Sequence, residues 1–167
     1  MTTIPPLTAM QIGHLFRSEV LQQCALVEEW TVSILESSNV LAIRDGKTVL
    51  PRLFGQKLKA VGDLSKANPE LFRKSERIDI LLDEFQPYAD MRSDLAHSIL
   101  SCGQLCEEPL MVYTNTGMHI APDTPKRITL KESECKSLLS KLKQQVKHIQ
   151  DQKLKLPATV TPTKAGA

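Results

Sequence analysis

The sequence predicts a mainly helical protein: an antiparallel helical bundle with a small β-hairpin inserted before its last helix. Three observations point there. Apolar residues recur at steps of three and four through several long segments. One short stretch, "LMVYTNTGMHI", is instead β-branched and aromatic on both sides of an Asn-Thr-Gly turn signal. The 167 residues, 41% hydrophobic and 24% charged, suit one domain with one core.

The first helix is the clearest element. Thr8 and Gln11 form a capping-box signal, and Ile12, Phe16, Val20, Cys24, Val27, Trp30 and Ile34 make a continuous apolar stripe ending near "ESSN". Trp30 lies on that stripe and reads as core. A connection with the turn signal Asp45-Gly46 follows. Pro51 suits a first helical position for a second helix carrying Leu53, Phe54, Leu58, Val61 and Leu64, closed by Asn68-Pro69. Ser75 opens a third helix whose stripe runs from Ile78 to Ile99, with Pro87 kinking or dividing it and Gly103 as a stop. After the hairpin, "RITL" adds a short strand, and Thr129 with Glu132 caps a last helix built on Cys135, Leu138, Leu139, Leu142, Val146 and Ile149. The expected division is a flexible segment 1–7, one helical domain 8–155 and a disordered tail 156–167.

Charge and cysteine content narrow the functional classes. From Lys126 to Ala167 ten Lys/Arg stand against three Asp/Glu, whereas residues 1–125 carry eleven against sixteen. A basic C-terminal part suits a polyanion or subunits that attract one another, or else lysines that solvate the outer face of a helix. Lys136, Lys141, Lys143 and Lys147 lack interleaved aromatics, so any RNA contact would be to phosphates. Cys24, Cys102, Cys106 and Cys135 are scattered and read as reduced thiols. "CGQLC" with His97 is not a standard zinc spacing, so neither metal nor cofactor is expected. No apolar run is long enough to span a bilayer, and "MTTIPPLTAM" lacks the basic and apolar parts of a secretory signal. The expected location is the cytoplasm, with no membrane partner. His14, His119 and His148 read as solvated.

The third helix holds the chemistry-bearing stretch, "MRSDLAHSIL". Arg92 and His97 are five residues apart, about 140° around an ideal helix. They share no face by spacing alone, although a second subunit can supply the opposite wall of a cleft. Asp94, one turn before His97, is placed to orient the imidazole. Such a pair suits metal-free RNA cleavage, in which the strand's own 2′-hydroxyl attacks the adjacent phosphorus. A neutral histidine removes the proton, and a fork-shaped, always-charged arginine holds the phosphoryl oxygens. The structural alternative is a surface ion pair with Asp90 or Asp94, or a cation at the negative end of the helix dipole.

"RSDLAH", Arg92 to His97, resembles the motif of arginine, four to six residues and histidine that marks the HEPN superfamily of helical bundles. The order of elements from about residue 8 to 150 is also similar to one branch of it, which includes mannitol-repressor-like proteins. The resemblance implies a metal-independent endoribonuclease of a toxin–antitoxin or defence system. Arg92 would stabilise the phosphate, His97 would transfer protons, and Ser93 and Asp94 would assist in a cleft shared by two subunits of a homodimer. RNA, and an antitoxin or other regulatory protein, are the implied partners. The family pattern most often has asparagine after the arginine, where this sequence has Ser93, a hydrogen-bonding group of shorter reach. Silent branches that keep the motif imply the alternative, a regulatory or interaction protein acting through a protein or nucleic-acid partner.

Overall fold

Thr8 starts the fold as the sequence reading expects. Its side chain accepts from the Gln11 N–H at 3.3 Å, and the Gln11 side chain accepts from the Thr8 N–H at 2.8 Å, closing the capping box. The helix so begun, α1 (Ala9–Ser37), buries Phe16, Val20, Cys24, Val27 and Ile34. In this computed structural model residues 7–38, 42–44, 47–72, 77–117 and 125–155 are described, with backbone only for 42–44 and 47–48. The Asp45-Gly46 turn, the Ser75 start, His119, nearly all of the N-terminal segment and the C-terminal tail lie outside them.

The remaining elements are a strand pair β1 (Ala42–Arg44) and β2 (Lys47–Val49), α2 (Phe54–Ala67), a 3-10 turn Pro69–Leu71, and α3 (Ile78–Ala96). Then come β3 (Ser98–Leu105), β4 (Glu108–Asn115), β5 (Lys126–Lys131) and α4 (Glu132–Gln150). The protein is therefore mainly helical, and the described residues hold four α-helices and a small three-stranded antiparallel sheet ordered β3-β4-β5. Among the described residues α1 contacts all three other helices and the inner side of β3 and β4. The buried residues form one cluster, to which α2 gives Leu58 and Val61, α3 Leu82 and Phe85, β4 Met111 and Tyr113, and α4 Leu142, Val146 and Ile149. Trp30 packs against that cluster, and its indole N–H donates to the Gln152 carbonyl at 2.9 Å. Leu154 is bridged to Phe72, which holds the chain after α4 against the end of α2.

Four local expectations are corrected. The second helix begins at Phe54, three residues after Pro51. α3 is not divided at Pro87, because that ring lies on the exposed side, where water reaches the carbonyl that the missing N–H leaves free. The same helix stops at Ala96, and Ser98 to Leu105 form a strand. Ser98 Oγ donates to the Asp94 carbonyl, the acceptor that a continuing helix would offer to the Ser98 N–H. The last helix is capped through the Glu134 side chain, which accepts from the Lys131 N–H at 2.7 Å, while Thr129 lies inside β5 opposite Val112.

The hairpin also sits elsewhere than expected. β4 turns back on β3 through Cys106 and Glu107, both left-handed with φ of 52° and 67°. No glycine or asparagine marks that turn. Asn115 ends β4, and its Oδ1 accepts from the Gly117 N–H at 2.9 Å. The expected second strand, Met118–Ile120, lies outside the described residues.

Phe85 meets Phe54 edge-on at 6.2 Å and is fully buried where α2 and α3 meet. Replacing it with alanine is expected to lower stability by about 3–5 kcal/mol. Urea unfolding should show the midpoint falling with an unchanged slope; an unchanged midpoint would place Phe85 outside the core.

Candidate functional site

Arg92 projects from near the C-terminal end of α3 toward α1 and α2. Its guanidinium lies 3.5 Å from the Glu28 carboxylate of α1 and stacks over the Phe54 ring of α2 at 5.6 Å to the centroid. The other Glu28 oxygen takes Lys57 of α2 at 2.7 Å. One carboxylate thus bridges two cations from two helices, and Lys57 and Glu28 are largely shielded while Arg92 keeps 38% of its side chain exposed. Directly above, the Cys24 thiol donates to the Tyr88 carbonyl at 3.6 Å. Burial pushes that thiol up to about 12, so it stays protonated at neutral pH.

Asp94 belongs to a different set of contacts. It is only 9% exposed, and its carboxylate accepts from the Asn115 amide of β4 at 3.2 Å and pairs with the Lys126 ammonium of β5 at 2.5 Å. The sequence reading placed Asp94 to orient His97; here its oxygens face the sheet. Ser98, four residues on, is joined to α1, since the Arg17 guanidinium donates to its carbonyl at 2.9 Å and lies over the Tyr113 ring at 5.4 Å. The Tyr113 hydroxyl donates to the Gly13 carbonyl at 2.7 Å.

His97 is the residue that closes α3, and it is exposed, as is Ser93 one turn earlier. Within one chain the four residues are therefore not brought together. Arg92 turns to the helices, Asp94 turns to the sheet, and Ser93 and His97 turn to solvent. The cavity between α2 and α3, about 450 Å³ and lined by Gly55, Gly62, Lys66, Asp79 and Gln86 among others, includes none of them. Among the described residues no three His, Cys, Asp or Glu side chains are grouped to hold a metal ion, and no helix is long and apolar enough to cross a membrane. Of the lysines on α4, Lys136 pairs with Glu132 at 2.5 Å and Lys143 with Glu19 of α1 at 2.6 Å.

Sequence reasoning missed Glu28, Lys57, Asn115 and Lys126 as partners of the motif. Asn115 had a legible signal, because Met111, Tyr113 and Asn115 alternate and so share the inner face of β4. Glu28 stands beside Val27 at the edge of the α1 stripe, where nothing in the spacing announces which cations it meets.

Replacing Glu28 with alanine leaves two cations facing each other without their carboxylate. The expected loss is about 1–2 kcal/mol, reduced by the partial exposure of Arg92. His97→Ala should stay within about 0.5 kcal/mol of the parent protein. Thermal and urea unfolding of both variants checks this, and equal effects would mean that Glu28 has no such bridging role. Compared with known proteins, the chain matches no family model, no curated protein and no solved structure.

Proposed function

We propose that the chain is a HEPN-like helical bundle of the regulatory or interaction kind, working in the cytoplasm by holding a protein or nucleic-acid partner without cutting RNA. The observation that carries this reading is the engagement of Arg92 by Glu28 and Phe54. Glu28 competes with an incoming phosphate for the guanidinium, although it shares its charge with Lys57 on its other oxygen. Asp94 is likewise committed to Asn115 and Lys126. Asp94 then serves the helix-to-sheet junction and Arg92 the contact with α1 and α2, and the exposed side of α3 is left for contact with a partner.

A second reading is the metal-independent endoribonuclease of a toxin or defence system, with a composite cleft formed by Arg92, Ser93, Asp94 and His97 of two subunits. What favours it is the exposure of Ser93 and His97, together with the exposed part of the Arg92 side chain. A phosphate would have to replace Glu28 as the partner of Arg92, and His97 would take the proton from the 2′-hydroxyl.

Incubation of the purified protein with a mixed RNA pool in excess chelator separates the two. Under the regulatory reading the RNA stays intact with the parent protein, with Arg92→Ala and with His97→Ala, and overexpression leaves growth unchanged. RNA loss that both substitutions abolish would replace this reading with the nuclease.

A further inference from the structure

The two edges of the three-stranded sheet differ. β5 lines one edge with Lys126, Arg127 and Lys131, and charged side chains on an edge keep other strands away. β3 forms the opposite edge with SILSCGQL, which has no charge and no proline. Its ladder with β4 is unbroken from Ser98↔Asn115 to Leu105↔Glu108, so no bulge twists it away, and every residue from Ser101 to Leu105 is exposed. An edge of this kind is a template for another strand.

The turn fixes which groups it offers. With two left-handed turn residues, Leu105 and Glu108 exchange both main-chain hydrogen bonds, and the pattern alternates from there. Pro109 agrees with this, since it has no N–H and stands opposite Gln104, a pair that needs no hydrogen bond. Leu100, Cys102 and Gln104 therefore point N–H and C=O to the open edge. Ser98 does the same, and its carbonyl is the one Arg17 occupies.

We propose that β3 pairs antiparallel with β3 of a second copy about a two-fold axis through Cys102, joining the two sheets into one. In this register Leu100 faces Gln104 of the partner subunit, Cys102 faces Cys102 of the partner subunit, and each of these pairs exchanges both main-chain hydrogen bonds. Ile99 and Leu105, which lie on the same face and are 66% and 46% exposed, then stand opposite each other across the new strand pair, once on each side of the axis. A register centred on Ser101 would set Ile99 against Gly103 and leave its side chain bare. The self-complementary pattern is what selects a second copy over a foreign strand. Because His97 lies five positions before Cys102, the two imidazoles end about 33 Å apart, at opposite ends of the paired strands. This dimer keeps the motifs separate and stands apart from the functional reading above.

Sedimentation across a concentration range is expected to show a dimer for the parent chain. Ile99→Lys/Leu105→Lys places like charges opposite one another and should give a folded monomer with the far-UV circular dichroism of the parent chain, as both positions are exposed. Ile99→Lys/Leu105→Glu places opposite charges there and should restore the dimer. A monomeric parent chain, a lysine variant that still dimerises, or a glutamate variant that stays monomeric would each overturn the proposal.

Discussion

A carboxylate taken out of water at the end of α3 sets the terms for the rest of the chain. Burying Asp94 without partners would cost several kcal/mol, and its oxygens are met by Asn115 from β4 and Lys126 from β5. Its main-chain carbonyl is met by the Ser98 hydroxyl, which ends the helix and starts the strand. The sheet is thereby fixed against the helix at one corner. From that corner Leu100, Met111 and Tyr113 reach α1, where the absence of a side chain at Gly13 lets them come close: a Cβ there would stand 2.7 Å from Leu100 Cδ2. Arg17 and Tyr113 then tie the first turns of α1 to the same junction.

Seen this way, the six residues from Arg92 to His97 divide by direction. The helical period sends Arg92 to the interior side shared with α1 and α2, and it sends Asp94 to the sheet. His97 is left at the helix end in solvent. The arginine and histidine have the residue types that phosphate chemistry needs, but they have different neighbours. Glu28 is the reason for the direction of Arg92, because its carboxylate bridges Arg92 and Lys57 and so joins three helices at one point.

The helical part of this architecture was legible because it follows from local spacing. α1 and α4 show stripes at steps of three and four, and most of the buried residues fall on them, with Gly13, Thr31 and Leu35 of α1 buried beside Ile12, Trp30 and Ile34. β3 was not legible, since Ser98 to Leu105 continues the helical spacing of the residues before it. What makes it a strand is tertiary: Arg17 takes its first carbonyl, Leu100 settles over Gly13, and a turn without glycine or asparagine reverses the chain. Thr129 and Glu132 imitate a capping box, yet Thr129 is held in the β5 ladder and Glu134 does the capping two residues on. The motif was legible as residue types in order. Its directions were not, because they depend on the Glu28 carboxylate far back in α1 and on partners from two strands.

The role given to Asp94 is tested most directly by a double-mutant cycle with Asn115, measuring urea unfolding of Asp94→Ala, Asn115→Ala and the pair. Residues joined in one buried network should couple, and a coupling energy of at least about 1 kcal/mol is expected. Additive single effects would contradict it, and would mean that the junction between α3 and the sheet is held by other contacts.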